Sequence, residues 1–264
     1  MIINKKLIDK FFPISSQTSL NDKKVLLKII GIFKNKRFNY LEIGSFLGGS
    51  LTPFLMEDKC KLIVSIDKRN QKLDDERSEE WSYENVNEND MIRRLKEYNL
   101  DLSILKTFNG DIKDFKTNKK FDLSFIDGIH TDINTFSDFL NTLKKSNKDS
   151  IILFHDSSII FKSISIINLL LLNMNYKFKL AKFRNSEITG IFFGKYSKLN
   201  LSKSISTTEN FSKFCKFAGE NLLLEQINNR LKIDFKISKF IKNKNPYKLS
   251  LKKKEKKTSL DFHK

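Results

Sequence analysis

A chain of 264 residues with 39% hydrophobic side chains is long enough for one substantial core and too short for several independent domains. This composition excludes disorder of the whole chain. Lys and Arg total 49 against 31 Asp and Glu, and residues 195–264 hold 18 of the basic residues but only 6 of the acidic ones. The net charge of +18 favours anionic partners such as RNA or a membrane surface, but it specifies no fold.

Two cysteines, Cys60 and Cys215, are too few for a disulfide framework or a thiolate zinc site. Lys5 and Lys6 stand where a signal peptide would need its apolar run. The longest apolar segment, Ile164–Asn173, has about half of the ~20 residues that span a bilayer. We therefore expect a soluble cytoplasmic protein.

Residues 1–37 are predicted to be a helical lead-in, with a helix over Asp22–Phe33 capped by Asn21 or Asp22. From Asn39 onward, short β-branched or aromatic runs alternate with helical stretches, which is typical of an α/β fold with a mostly parallel sheet. The predicted strands are Asn39–Ile43, Leu62–Ile66, Leu102–Thr107, Phe121–Ile126, Ile151–Phe154, Tyr176–Phe183 and Ile188–Phe193. The last two form a closing hairpin, which makes one of the seven strands antiparallel.

Helices are predicted between these strands and cover both faces of the sheet, at Gly49–Met56, Asp132–Leu143 and Ile159–Leu172. Residues 68–100 form a long acidic insertion, which we expect to hold a helix over Asp90–Tyr98 and a mobile or lid-like piece before it.

The main domain is predicted to span residues 38–198, and a helical extension with a candidate dimer surface follows over 199–240. The lysine-rich residues 241–264 are predicted to be a disordered tail.

A glycine-bearing turn, Glu42-Ile43-Gly44-Ser45-Phe46-Leu47-Gly48-Gly49-Ser50, lies between the first strand and a helix. Glycines there let backbone amides approach a ligand, and a following helix favours electron-rich groups. Asp67 ends the second strand, where a carboxylate can accept hydrogen bonds from both ribose hydroxyls. The pattern predicts an adenosine-containing cofactor. Phe46 stands where the dinucleotide fingerprint G-x-G-x-x-G has its second glycine, which makes hydride transfer the least favoured chemistry.

The form E-x-G-x-x-x-G-G-S resembles the first motif of class I S-adenosylmethionine-dependent methyltransferases. The resemblance continues in Asn109-Gly110-Asp111, Phe125-Ile126-Asp127-Gly128-Ile129-His130 and Phe154-His155-Asp156. It covers 38–193 and is strongest to the small-molecule O-methyltransferase branch, of the cephalosporin hydroxylase and macrocin O-methyltransferase type. It implies a Rossmann-like seven-stranded sheet.

The resemblance also implies the cofactor site. Glu42 would bind the methionine amine or orient the loop, Gly44 would face the methionine, Asp67 would hold the ribose and Asp111 would approach the adenine amino group. Ser45, Gly48, Gly110 and Asp127 complete the predicted set.

Asp127 and the pair His155-Asp156 follow two neighbouring strands of the predicted sheet, so their side chains should meet in one cleft. Two converging carboxylates need compensation, and a divalent cation is the simplest source. Mg²⁺ suits a site with few carboxylates, although a histidine is a softer ligand than it prefers. In the metal-dependent relatives the cation grips the substrate hydroxyl, which makes Asp127, Asp156 and His155 the candidate ligands.

His130 stands three residues after Asp127, the offset that a catalytic lysine occupies in catechol-type relatives. An imidazole can remove a hydroxyl proton near neutral pH, so His130, with Asp127 beside it, is the candidate general base. The alternative is that His130 caps the next helix or supports Asp127.

The predicted reaction is methylation of a hydroxyl, on a sugar, a glycan precursor or another small molecule, by S-adenosylmethionine. One alternative is a nucleic-acid methyltransferase that uses the basic tail, although no amino-methylation motif follows the fourth strand. The other is a methyltransferase-like protein that binds without turnover.

Overall fold

The computed structural model describes residues 3–69, 72–82, 85–201, 204–205 and 208–231. The predictions for 232–240 and for the tail, 241–264, lie outside these residues. The helices are α1 (Lys5–Phe11), α2 (Leu20–Ile30), α3 (Thr52–Leu55), α4 (Glu88–Glu97), α5 (Asp132–Lys145), α6 (Phe161–Asn173) and α7 (Thr208–Leu231). The strands are β1 (Phe38–Ile43), β2 (Cys60–Asp67), β3 (Lys72–Asp74), β4 (Glu80–Ser82), β5 (Leu105–Asn109), β6 (Phe121–Ile126), β7 (Ser146–Phe154), β8 (Phe178–Phe183), β9 (Thr189–Phe193) and β10 (Ser204–Ile205).

The main sheet has the strand order β10-β8-β9-β7-β6-β1-β2-β5. β1 pairs in parallel with both β2 and β6, and β9 runs antiparallel to β7 and β8. The predicted seven strands, with one of them antiparallel, are therefore confirmed. The two-residue strand β10 adds an eighth at the edge, which its length kept out of any sequence pattern.

Alternate residues of the central strands pack into two hydrophobic clusters, one on each face of the sheet. On β1, Tyr40 packs with α2 and α4 residues such as Leu26 and Leu95, whereas Leu41 packs on the other face with residues such as Ile164. Because both faces are covered, these strands are mostly apolar and do not alternate in polarity, and their few polar residues, such as Glu42 and Ser65, are buried. This is the helix-sheet-helix layering that the sequence predicted.

Most predicted bounds differ from the structure by a few residues, and three differences have a clear physical cause. β7 begins at Ser146, five residues earlier than the apolar run at Ile151, because Ser146 pairs with Phe121 of β6. The helix after the glycine turn is only Thr52–Leu55, since the chain around Gly49 forms turns. α2 is capped by Ser19, not by Asn21 or Asp22, because Asp22 is the third helical residue and bonds back to the Ser19 backbone in a capping box.

The acidic insertion contains α4 and, before it, a hairpin formed by β3 and β4. Its turn is fixed on both sides: the Glu76 amide donates to the His130 carbonyl at 3.0 Å, and Gln226 of α7 donates to the Glu76 carbonyl at 2.6 Å. The segment predicted to be mobile or lid-like is thus the β3–β4 hairpin, which is hydrogen-bonded to the loop after β6 and to α7.

α7 packs against α6 through buried residues such as Phe214 and Ala218, whereas Leu223 and Ile227 are exposed. The predicted dimer surface remains a prediction. Within the described part of the chain, no helix combines the length and the apolar character needed to cross a membrane.

Candidate functional site

A cavity of about 530 Å³ lies at the carboxyl edge of the sheet, where β1, β2, β5, β6 and β7 end. Its size is within the range of small-molecule sites. Most of the predicted site residues line it, namely Gly44, Ser45, Asp67, Gly110, Asp111, Asp127, His130, His155 and Asp156. The topology has therefore brought the separate motifs together, as parallel strands predict.

The glycine turn passes close to the end of β6. Gly44 has φ +84°, and a Cβ atom built on it would lie 2.0 Å from the Asp127 carbonyl oxygen. The Gly44 amide donates to Ile66 of β2, and the Asp127 amide donates to Ile43 of β1. Only glycine permits this approach, so Gly44 fixes the distance between the cofactor loop and Asp127.

Glu42 lies behind the cavity wall. Its buried carboxyl group accepts hydrogen bonds from Tyr40 and from Ser50 of the turn. Burial raises the pKa of Glu42 to about 8, partly offset by these two hydrogen bonds. Two roles were predicted for Glu42, binding the methionine amine and orienting the loop. The hydrogen bond from Ser50 corresponds to the second of them. Gly48 also lies outside the lining and faces the side chains of Met91 and Leu95.

Asp67 lies at the end of β2 and accepts a hydrogen bond of 2.6 Å from the Phe46 amide. Arg69 lies 3.7 Å from the same carboxylate and donates to the Phe46 carbonyl. Burial raises the pKa of Asp67, and the charge of Arg69 opposes this. Asp111, after β5, is more exposed and forms ion pairs with Lys68 and Lys113. Asp67 is therefore already linked to the glycine turn, and Asp111 lies at the open side.

Four ionisable side chains meet at the ends of β6 and β7. His155 Nδ1 lies 3.0 Å from Asp127 Oδ1 and 3.3 Å from Asp156 Oδ2. His130 Nε2 lies 3.4 Å and 3.2 Å from the same two oxygens. One ligand atom of each side chain falls within a cluster 4.8 Å across. We call Asp127, His130, His155 and Asp156 the Asp-His cluster.

The two histidines compensate the two carboxylates in the Asp-His cluster. Burial lowers the pKa of His155, but the charges of Asp127 and Asp156 outweigh it and hold that pKa well above the ordinary value. The pKa of His130 is raised by Asp156 and Asp127 against the same opposing effect of burial. Burial opposes ionisation of Asp156, yet the two histidines bring its pKa well below the usual range. Asp156 is thus ionised and available as a ligand.

Several cavity residues were missed by the sequence analysis. The segment 15–18, before α2, and the β3–β4 hairpin residues Asp74, Asp75 and Arg77 form the walls around the opening. Residues 15–18 contain no recognisable site motif, and the acidic insertion predicts a mobile or lid-like piece without indicating particular site residues. Nothing in their local pattern placed them near the strand ends, which lie far away in sequence.

Asp138 of α5 is another missed residue. It lines the cavity, and its carboxyl group accepts no hydrogen bond from any residue that the structure describes. Burial raises its pKa to about 7, and the nearby charge of Asp111 adds to the shift. A carboxyl group in this position is costly to ionise.

We expect Asp138→Asn to stabilise the ligand-free protein at pH 8 and to leave it unchanged near pH 3. The folded pKa of about 7 exceeds the ordinary 3.8, so the folded state binds the proton more tightly. The Asp138 carboxyl group therefore lowers the free energy of unfolding progressively as the pH rises from about 4 to about 7. Above about pH 7 this loss of stability is complete. The gain should be on the order of 2 kcal/mol in urea unfolding at pH 8. The exposed Asp58→Asn is the control, and equal pH dependence in both variants would refute the expectation.

Comparison with known proteins identifies the central part of the chain. A family model described as a methyltransferase domain matches residues 41–157. Residues 41–157 form a methyltransferase domain. The matched range of the methyltransferase domain begins in β1 and ends just after Asp156, so it includes every motif of the cavity. The predicted class, an S-adenosylmethionine-dependent methyltransferase, is confirmed.

Solved structures share the fold of the methyltransferase domain and its flanking elements. A putative O-methyltransferase from Klebsiella pneumoniae is similar with a TM-score of 0.51 and 12% identity, over 74% of this chain and 92% of that chain. The O-methyltransferase NovP is similar with a TM-score of 0.50 and 15% identity, over 65% and 79%. No curated protein sequence is significantly similar to this chain. At these identities the likeness shows a common fold.

Proposed function

We propose that this methyltransferase transfers the methyl group of S-adenosylmethionine to a hydroxyl oxygen of a small, polyhydroxylated acceptor such as a sugar, with a divalent cation at the Asp-His cluster. The single observation that carries the proposal is the position of this cluster. It lines the same cavity as Gly44 and Asp67, and it is therefore within reach of both a bound cofactor and an acceptor.

The cofactor half of the cavity is formed by the turn from Gly44 and by the ends of β2 and β5. Asp67 would accept hydrogen bonds from the ribose, and Asp111 would lie toward the adenine. Lys68 and Arg69, beside these acids, keep the local charge balanced. Because the sulfonium donor is already activated, the main task of these residues is to hold it in line with the acceptor oxygen.

The Asp-His cluster fits a divalent cation. The imidazole nitrogen His155 Nδ1 is buried and has no hydrogen-bond partner among the described residues, and one carboxylate oxygen each of Asp127 and Asp156 lies within 3.3 Å of it. Asp127, Asp156 and His155 would hold the ion. A bound divalent cation lowers the pKa of a coordinated hydroxyl and orients it.

His130 would act on the acceptor proton. Its Nε2 atom borders the cavity between Asp127 and Asp156, and the imidazole ring is less than one-fifth exposed. A neutral His130 accepts the proton of the acceptor hydroxyl as the oxygen attacks the methyl carbon, and the carbon–sulfur bond breaks. The proton stays on an imidazole whose charge the neighbouring carboxylates stabilise.

The acceptor half of the cavity favours a polyhydroxylated molecule. Around the Asp-His cluster the walls contain Ser15, Ser16, Gln17 and Thr18 on one side and Asp74 and Arg77 on the other. Such side chains offer hydrogen bonds to hydroxyl groups, whereas a flat aromatic acceptor would be better matched by apolar and aromatic walls.

The test combines ligand binding with methyl transfer. S-adenosylhomocysteine should raise the melting temperature of the protein, whereas NAD should not. Methyl transfer from labelled S-adenosylmethionine should then be measured with sugar nucleotides, free glycosides and catechol, with a divalent cation and with excess chelator. Cation-dependent transfer to a sugar hydroxyl is expected. Transfer to RNA, transfer undiminished by the chelator, or no binding of S-adenosylhomocysteine would contradict the proposal.

A further inference from the structure

The distances within the Asp-His cluster match the spacing of ligands around a small divalent metal ion. Among the proposed ligands, His155 Nδ1 lies 3.0 Å from Asp127 Oδ1 and 3.3 Å from Asp156 Oδ2. Ligand atoms bound about 2.0–2.1 Å from a common ion, at tetrahedral or adjacent octahedral positions, lie about 2.9–3.4 Å from one another. The side chains are therefore arranged closely enough to bind one ion without a large rearrangement.

His155 is oriented by contacts on its other side. The ring is 5% exposed and packs edge-on against Phe125, with the ring centroids 5.8 Å apart. Its Nε2 atom lies 3.4 Å from Asp22 Oδ2, and its Nδ1 atom faces the two carboxylates of the cluster. A hydrogen on Nε2 thus points toward Asp22, and a metal ion that displaces the proton from Nδ1 would bind the lone pair there.

Asp22 is held rigidly although it lies 133 residues before His155. Ser186 Oγ and the Glu187 amide donate to its Oδ1 atom at 2.7 and 2.8 Å. The Ser19 amide donates to Oδ2 at 3.0 Å. The Asp22 side chain is 2% exposed. The contact with His155 therefore connects α2 and the β8–β9 hairpin to the cluster.

We propose that Asp22 is a positioning residue that presents His155 Nδ1 as a metal ligand, and that the resulting site selects a divalent first-row transition ion, such as Mn²⁺, Co²⁺ or Zn²⁺, over Mg²⁺. The inference deepens the proposed function and relies on it only for the presence of a cation. A carboxylate next to a ligating imidazole fixes the tautomer and makes the ring a stronger ligand.

The ligand set supports this selectivity. Mg²⁺ prefers oxygen ligands and keeps several waters, whereas imidazole nitrogen suits Zn²⁺ and other transition ions. Here a histidine stands beside Asp156, at a strand end where a second carboxylate would have given Mg²⁺ an all-oxygen set. The buried Asp22 adds a negative charge behind His155 and strengthens the same preference.

The experiment measures metal binding in the full-length protein with S-adenosylhomocysteine bound. Calorimetric titration of the metal-free protein should show Mn²⁺, Co²⁺ and Zn²⁺ binding at least about 100-fold more tightly than Mg²⁺, and bound Co²⁺ should show a ligand-field absorption band. His155→Glu should reduce the preference for Mn²⁺ over Mg²⁺ at least about tenfold and change the Co²⁺ spectrum. Because most sites favour transition ions to some degree, the change in His155→Glu is the decisive result.

Asp22→Asn tests the positioning role and should weaken Co²⁺ and Mn²⁺ binding about 10–100-fold. The control is Ser19→Ala, which removes the side-chain cap of the same helix and one hydrogen bond to Asp22 Oδ2, but keeps the Asp22 carboxylate opposite His155. Circular dichroism and S-adenosylhomocysteine affinity report whether each variant is folded. Glu187→Ala, which retains the backbone amide that contacts Asp22, serves as a second control if Ser19→Ala does not fold.

The outcomes separate the inference from the proposed function. Equal affinity for Mg²⁺ and Mn²⁺, unchanged metal preference in His155→Glu, or equal losses of metal affinity in Asp22→Asn and Ser19→Ala would overturn the inference. Methyl transfer supported equally by Mg²⁺ would then still leave the proposed function standing. Selective transition-metal binding without methyl transfer to any acceptor would instead uphold the inference and overturn the function.

Discussion

Asp156→Asn is expected to reduce methyl transfer by at least about a hundredfold while changing the affinity for S-adenosylhomocysteine by less than about threefold. Asp156 has φ +46°, a conformation that asparagine also adopts, so the backbone should be preserved. The substitution removes one of the two charges that face His155 and His130. The cofactor loop around Gly44 and Asp67 is untouched.

The measurement is steady-state methyl transfer together with calorimetric titration of S-adenosylhomocysteine. Asp58→Asn, an exposed carboxylate far from the cavity, should behave like the wild type. Excess chelator should lower the activity of the wild type to the level of Asp156→Asn. If Asp156→Asn keeps full turnover, the Asp-His cluster does not take part in the reaction.

Gly44→Ala should lower the free energy of unfolding by at least about 3 kcal/mol and abolish S-adenosylhomocysteine binding. A Cβ atom at residue 44 would lie 2.0 Å from the carbonyl oxygen and 2.5 Å from the carbonyl carbon of Asp127, and backbone atoms cannot rotate away as a side chain can. The φ of +84° adds strain for any residue with a Cβ atom. The turn and the end of β6 must therefore separate, which moves Asp127 away from the cofactor loop.

Gly31→Ala is the matched control, since a Cβ atom on Gly31 would meet nothing within 4 Å and the backbone there is right-handed helical. It should raise stability by about 0.4–1 kcal/mol, because alanine restricts the unfolded chain more than glycine does. Urea unfolding gives both free energies. If Gly44→Ala keeps both its stability and its affinity for S-adenosylhomocysteine, the close approach of residue 44 to the Asp127 backbone is not required.

The sequence predicted the layered fold and the cofactor edge because both depend on local patterns. The run Phe121–Ile126 has the same bounds in the structure as in the prediction, and all of its residues are buried, including Asp122 and Ser124. Asp67 and Asp127 follow directly after such runs. The carboxyl ends of parallel strands meet at one edge of the sheet, so the sequence alone predicts that these two acids lie at that edge.

Boundaries failed where pairing with a neighbouring strand, rather than composition, decides the conformation. Ser146 belongs to β7 because it pairs with Phe121, although its own side chain gives no strand signal. The β3–β4 hairpin is similar: a short polar segment forms a hairpin and docks on the loop at His130 through the backbone amide of Glu76. Such bonds depend little on the side chains, and a sequence pattern does not record them.

By itself the sequence determined the sheet, the glycine turn and the presence of Asp127, His130, His155 and Asp156 at neighbouring strand ends. Only the tertiary structure decided how these groups are supported. Asp22 is locally a helix-capping partner of Ser19, and its contact with His155 arises from the docking of α2 beside the β8–β9 hairpin. A motif describes residues that are close together in the sequence. The residues that stabilise a buried charge, such as Asp22 beside His155, can be more than a hundred positions away and are brought together only by packing.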